Sequence, residues 1–364
     1  MNGYREKRRK TFPRAVVAAT VGTLFLLPAP AFAMHISEGI LPFSWAALWY
    51  AVALPFVAWG LRDLRHRSEN APSFKPFVGL VGSAVFLISC MPIPVPTAGT
   101  CAHAAGTGLA AILIGPGLTV VVASIALTLQ ALFLAHGGLT TLGANLVSMG
   151  VAGAYAGYGV YAIGRRLGIP WAVAAFLAGL FSDWATYAMT SVELAAALHG
   201  SGSFSAMLSL ILLAFVPTQI PLGIIEGFLC AGALRFVRNR KPELLRAAAV
   251  GDASLSKAAV PLILAGILLI GPAALPGLAA SWPGVDEAVI EKVAEKAGRP
   301  AREPLINTDQ GDLLLFVFLA AGIAGGFVAG YNFRTLFPPR RRKQWGPTAP
   351  TSAETAETKE AGEA

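Results

Sequence analysis

Long apolar runs constrain this chain more than any other feature of its sequence. A helix needs about 20 apolar residues to cross a bilayer. The chain is 55% hydrophobic and only 13% charged, about half the charged fraction of an ordinary soluble domain. The pattern therefore predicts an all-α integral membrane protein. Its candidate membrane segments are 42–61, 77–92, 104–115, 117–135, 143–164, 170–194, 205–236, 257–273 and 312–331.

Short basic clusters between the apolar runs predict the orientation of the chain, because Lys and Arg concentrate in cytoplasmic loops. The clusters occur at 62–67, 165–166, 235–241 and 340–343. They share one side of the membrane only if 104–115 and 117–135 count as two passes. Gly115-Pro116-Gly117 separates these two runs, and proline breaks a helix interior. Because 104–115 is too short for a full crossing, we expect a short or half-inserted helix buried in protein.

This division predicts two modules. The first seven runs form a bundle over residues 34–240, and residues 257–337 form a two-helix unit around an external loop, 274–311. Residues 241–256 connect the two modules in the cytoplasm. The tail, 338–364, has almost no large apolar residues and is predicted to be disordered. We expect a multi-pass protein of the inner (plasma) membrane, with its mature N-terminus outside and its C-terminus in the cytoplasm.

Residues 1–33 have the composition of a secretory signal peptide. A basic start precedes an apolar core at 15–27, and Ala31-Phe32-Ala33 forms a small-residue cleavage motif. Cleavage leaves a protein that begins Met34-His35. The alternative is an uncleaved first transmembrane helix, which makes His35 an ordinary loop residue. The cleavage motif, and the prolines that interrupt the apolar core, favour cleavage.

A histidine in second place beside a free amine is a metal chelator. The α-amine of Met34, the peptide nitrogen between Met34 and His35, and the imidazole of His35 can close around one ion. His103, in a loop of small residues, falls on the same outer face in this topology. Together these groups make four nitrogen ligands, which favour Ni(II) or Cu(II), and Co(II) is close in chemistry. Because the ligands bind deprotonated, binding should weaken as the pH falls.

Further polar residues are candidates for the surroundings of the ion. Glu38 can hold the new N-terminus or orient His35. His136 is a candidate ligand or loop-shaping residue at the start of a glycine-containing run that ends at Asn145. Glu226 lies in an apolar run, where ionisable groups are costly and often functional. Contact with a coupling subunit and helix packing are equal alternatives for it.

Several functional classes have little support in the sequence. It contains no H-E-x-x-H, G-x-S-x-G or Walker A motif, so any ATP-driven activity needs a separate subunit. The net charge of +8 lies in short clusters between apolar runs, which is not a nucleic-acid-binding pattern. The three cysteines favour neither a disulfide framework nor a zinc site. An intramembrane metal-dependent enzyme and a metal-independent membrane scaffold stay as alternatives from other classes.

Three separated motifs resemble one family of transporters. They are Met34–Pro42, the His103 loop followed by Gly106–Leu109, and Leu134–Asn145. Over roughly residues 34–235, the chain is similar to the substrate-binding membrane (M) component of cobalt/nickel energy-coupling-factor (ECF) ABC transporters. Residues 257–337 resemble the small N component of the same systems, although the acidic loop motif is altered here.

The resemblance implies a fold, a ligand set and partners. It implies a seven-helix bundle and metal ligands at Met34, His35 and His103, with Glu38, His136 and Asn145 as residues that shape their surroundings. Co(II) or Ni(II) is then the transported substrate, and no cofactor is permanently bound. The implied partners are a transmembrane coupling (T) subunit, ATP-binding (A) subunits and membrane lipid. Ser37-Glu38-Gly39 favours cobalt over nickel.

Overall fold

The computed structural model of this protein describes residues 35–90, 93–95, 100–249, 290–308 and 313–338. The predicted signal peptide and Met34 lie outside these residues, as do the candidate segment 257–273 and the C-terminal tail.

Helices make up most of the described chain. The α-helices are α1 Phe43–Asn70, α2 Phe74–Cys90, α3 Thr107–Ile114, α4 Pro116–Phe133, α5 Leu142–Arg166, α6 Trp171–Leu198, α7 Phe204–Arg240, α8 Pro242–Ala249, α9 Lys292–Lys296 and α10 Leu313–Leu336. The turns of α5 are widened to a π-helix over Leu146–Gly153. The first seven helices match the seven predicted segments, so the predicted all-α bundle is confirmed.

One short β-hairpin interrupts this helical pattern. Strand β1, Ile93–Val95, pairs antiparallel with β2, Thr100–Ala102. Strands of three residues are too short to show an alternation of apolar and polar residues, so the sequence does not predict them. The hairpin leads directly into His103.

The long helices have the length and composition of membrane spans. Among the described residues, six helices meet this criterion: α1, α4, α5, α6, α7 and α10. Large apolar side chains such as Leu54, Phe228 and Phe327 project from their outer surfaces. Apolar side chains can face outward in this way when the surrounding solvent is lipid. The chain is therefore a membrane protein.

Helix α3 is much shorter than its neighbours and is enclosed by them. It has eight residues, and all of them are buried, so it rises only about 12 Å. Gly115 adopts a φ of 88° between α3 and α4, and Pro116 begins α4. The predicted division of this stretch and the predicted short, protein-buried helix are both confirmed.

Glycines allow the helices around the bundle core to approach closely. A side chain at Gly60 of α1 would overlap the backbone carbonyl of Gly117 in α4. A Cβ at Gly179 of α6 would lie 2.6 Å from the carbonyl oxygen of Glu226 in α7. Small residues at such crossings let membrane helices pack backbone to backbone. These contacts fix α4 and α7, which both reach the candidate site.

A separate apolar cluster lies at one end of the bundle. It joins the N-terminal segment 35–42 to the His103 loop and to α9, through buried residues that include Ile36, Ile40, Ala104 and Ala294. Helix α10 packs against α2, where Gly325 lies against Phe86 and Leu87. The C-terminal unit therefore contacts both the bundle and the N-terminal segment.

Candidate metal centre

Three histidines meet at this end of the bundle. His35 lies in the segment before α1, His103 follows β2, and His136 lies between α4 and α5. The ring centroids of His35 and His103 are 5.1 Å apart, those of His103 and His136 are 5.5 Å apart, and those of His35 and His136 are 6.3 Å apart. All three side chains are buried. Residues spread over 102 positions of the sequence thus form one cluster.

Asn145 holds the backbone next to His35. The amide nitrogen of Ile36 donates to Asn145 Oδ1 at 2.8 Å, and Asn145 Nδ2 donates to the Ile36 carbonyl at 3.1 Å. Thr141 Oγ1 donates to the same carbonyl at 2.5 Å. Asn145 therefore pairs with both backbone polar groups of Ile36, as a neighbouring strand would, and fixes the path of the chain at His35.

Glu38 joins the same segment to the loop that carries His136. Its carboxylate accepts hydrogen bonds from the backbone nitrogen of Thr140, at 3.1 Å, and from the Thr140 hydroxyl. Gly138 packs so closely that a Cβ there would lie 2.6 Å from Glu38 Cα. These contacts tie the N-terminal segment to the loop at Thr140.

Glu226 holds the backbone that follows His103. From α7, its carboxylate accepts from the backbone nitrogens of Ala105, at 3.0 Å, and Gly106, at 2.8 Å. Gly106 adopts a φ of 69° immediately before α3, a conformation that favours glycine. A carboxylate at the N-terminus of a helix also interacts favourably with its dipole. The sequence singled out Glu226, but not this contact with the His103 loop.

Gln130 is a residue of the site that the sequence interpretation missed. It is fully buried in α4, and its Oε1 lies 3.1 Å from His35 Nε2. The available signal was a glutamine inside a continuous apolar run, because a polar amide at such a position needs buried partners.

The buried rings are electrically neutral. The pKa of His35 is lowered to about 3, mainly by burial and secondarily by the charge of a protonated His136. Burial also lowers the pKa of His136 to about 4. The pKa of His103 falls well below its usual value, through burial and then through the two neighbouring rings. Neutral imidazole is the form that binds metals.

Three rings alone do not complete a metal site. In the described part of the chain, no group of three or more His, Cys, Asp or Glu side chains approaches closely enough to hold an ion. The peptide nitrogen of His35 and the preceding residue 34 adjoin the cluster in the chain. The ring of His199 packs on Phe204, and its Nδ1 lies 2.9 Å from the Ala195 carbonyl oxygen.

The C-terminal unit covers the N-terminal segment. The guanidinium of Arg299 donates to the carbonyls of Gly39, Ile40 and Leu41 at 3.2, 3.4 and 3.2 Å. The backbone nitrogen of Arg302 donates to the Glu38 carbonyl at 2.8 Å. We call residues 290–302 the strap, because they lie across this segment.

Comparison with known proteins identifies the family. Residues 35–244 match the family described as CbiM, the cobalt uptake substrate-specific transmembrane region. The "Cobalt transport protein CbiM" of Geobacter sulfurreducens is 54% identical over 337 residues, which cover 90% of this chain and 96% of that protein. The protein of the same name from Sorangium cellulosum is 60% identical over 212 residues, covering 58% of this chain and 94% of that protein.

A solved structure described as a truncated transition metal transporter is 24% identical and has a TM-score of 0.48, covering 57% of this chain and 99% of that one. The matching family and the relatives are transport proteins rather than enzymes. The chain belongs to the CbiM family of cobalt-uptake, substrate-specific membrane proteins.

Proposed function

We propose that this protein captures Co(II) outside the inner membrane and supplies it for uptake as the substrate-specific component of an ECF-type ABC transporter. Separate A subunits hydrolyse ATP, and a T subunit couples them to this chain. Membership of a cobalt-uptake family supports the transport role. The basic clusters at 62–67, 165–166 and 235–241 support an orientation in which these loops are cytoplasmic and the mature N-terminus is outside.

The observation that carries this proposal is the pair His35 and His103. Their rings lie 5.1 Å apart, both are buried, and residue 34 directly precedes one of them. After cleavage at residue 33, the amine of Met34, the peptide nitrogen of His35 and the two imidazoles supply four nitrogens. Such a donor set suits Co(II) and Ni(II) and differs from the thiolate-rich sites of structural zinc. Co(II) is the substrate, and Ni(II) is the alternative.

The remaining predicted residues have supporting roles in this proposal. Asn145 and Glu38 hold the N-terminal segment through its backbone and the loop at Thr140. His136 flanks both ligand rings and limits the space around the ion. The strap keeps the segment in its binding position through Arg299.

Native intact mass spectrometry of protein purified from membranes tests the site. Cells are grown with Co(II) and Ni(II), and the wild type is compared with His103→Ala. The expected wild-type species begins at Met34 and carries one divalent metal, which is lost in His103→Ala. His199→Ala is the matched control, because this histidine contacts the end of its own helix and Phe204. A species that begins at Met1, or a metal-free one that begins at Met34, contradicts the proposed site.

An uptake assay tests the transport role. Radioactive Co(II) accumulation is measured in cells that express this chain with and without the T and A subunits. We expect uptake only with the subunits, and lower uptake with excess Ni(II) because the donor set accepts both ions. Uptake that needs no ATP-hydrolysing partner contradicts the ECF mechanism.

A further inference from the structure

Gln130 connects His35 to the backbone of α2. Its Oε1 lies 3.1 Å from His35 Nε2. Its Nε2 donates to the carbonyl of Ser89 at 3.2 Å and to the Ser89 hydroxyl oxygen at 2.8 Å. Gln130 and Ser89 are both fully buried. The amide therefore bridges two elements of the bundle within a protein interior.

The contacts with Ser89 fix the orientation of this amide. A backbone carbonyl can only accept a hydrogen bond, so the group that faces the Ser89 carbonyl must be the NH₂ of Gln130. The Ser89 hydroxyl donates its one proton to the Phe86 carbonyl at 3.1 Å, so it too accepts from Gln130. The reversed amide would place its oxygen against two acceptors. The oxygen of Gln130 consequently faces His35.

An acceptor facing His35 Nε2 determines which ring nitrogen carries the proton. Neutral imidazole has one N–H donor and one nitrogen with a free lone pair. Because Gln130 Oε1 accepts, Nε2 holds the proton, and Nδ1 keeps its lone pair. A hydrogen bond to the distal nitrogen commonly sets the tautomer of a metal-binding histidine.

Chelation at the N-terminus requires this tautomer. An ion bound to the peptide nitrogen of His35 forms a six-membered ring with Nδ1, through Cα, Cβ and Cγ, whereas Nε2 points away from that ring. We propose that Gln130 is a positioning residue that accepts a hydrogen bond from Nε2–H, stabilises this tautomer and so presents Nδ1 of His35 to the transported ion. This inference rests on the proposed function, because it concerns the same site.

Three variants separate tautomer control from packing. Gln130→Met fills a similar volume without an acceptor, whereas the protonated form of Gln130→Glu keeps an acceptor oxygen toward His35 and an O–H donor toward Ser89. Gln219→Met is the matched control, because Gln219 is a buried glutamine of another long helix, α7. Each purified protein is titrated with Co(II), and its ligand-field spectrum is recorded. In the metal-free protein, nitrogen-15 chemical shifts of His35 report which ring nitrogen is protonated.

We expect Gln130→Met to weaken Co(II) binding about tenfold or more, to change the ligand-field spectrum and to mix the two tautomers of His35. Gln130→Glu should restore the Nε2–H tautomer and most of the affinity, and Gln219→Met should match the wild type. Wild-type affinity and tautomer in Gln130→Met overturn the inference. Equal losses in both Gln130 variants with an unchanged tautomer also overturn it, since they show a packing role.

The two levels of the proposal can fail separately. If the wild type binds no Co(II), the proposed function fails. The nitrogen-15 measurement needs no metal, so it still decides whether Gln130 sets the tautomer of His35.

Discussion

Removing the Asn145 side chain should loosen the N-terminal segment and weaken metal binding. Asn145→Ala leaves the buried Ile36 N–H without its 2.8 Å partner, which costs about 1–3 kcal/mol. It also removes the 3.1 Å bond to the Ile36 carbonyl, worth about 1 kcal/mol, although Thr141 still donates to that carbonyl. The sum is about 2–4 kcal/mol. Because each 1.4 kcal/mol of binding free energy changes the affinity tenfold, the affinity for Co(II) should fall about 30- to 700-fold.

Isothermal titration of Co(II) into the purified protein measures this effect. Asn332→Ala is the matched control, because the amide of Asn332 donates to Val328 within its own helix, α10. That variant should keep the wild-type affinity. Asn145→Ala with unchanged affinity refutes the reasoning, even if its melting temperature falls, because the segment would then not be coupled to the site.

Three further predictions concern the strap, a close backbone contact and pH. Arg299→Ala removes the hydrogen bonds to the carbonyls of residues 39–41 and should lower Co(II) uptake while leaving membrane insertion intact. Deletion of 257–337 should lower uptake further. Wild-type uptake in that deletion contradicts a role for the strap. Gly138→Ala places a Cβ 2.6 Å from Glu38 Cα and should lower both melting temperature and Co(II) affinity, whereas Gly232→Ala, where nothing lies within 4 Å of the added carbon, should lower neither. Burial lowers the pKa of His35 to about 3 and of His136 to about 4, so between these values and about pH 6.5 the unfolded chain binds more protons than the folded one. The contribution of the neutral histidines to the stability of the metal-free protein should be fully present above about pH 6.5 and should be lost as the pH is lowered toward 4. A melting temperature that stays constant from pH 7 to about pH 4.5 contradicts the neutral buried cluster.

The helical framework follows directly from local sequence signals. Apolar runs and basic loops predict the seven helices of the bundle, and Gly115-Pro116-Gly117 marks the boundary between α3 and α4. Each signal lies within the segment that it describes, so tertiary contacts are not needed to read it. The exception is the pair of strands β1 and β2, which are too short to show a periodic pattern.

The site depends on contacts between distant residues, and only part of it is visible in the sequence. The chemistry of His35 and His103 and their predicted position on one face indicate a shared site, and the structure brings their rings together. That Met34, His35 and His103 bind the ion stays a prediction. The contact of Gln130 with His35 spans 95 residues, and that of Glu226 with Gly106 spans 120. No local pattern specifies such pairs.

The strap also has a consequence for the order in which the site is assembled during synthesis. Arg299 contacts carbonyls that precede it by 258 to 260 residues. Chains grow from the N-terminus at about 5–20 residues per second, so the histidines emerge well before the residues that cover their segment. The N-terminal segment therefore spends roughly ten seconds or more uncovered on every nascent chain. A ribosome that stops before residue 290 produces a bundle with all three histidines but without the strap.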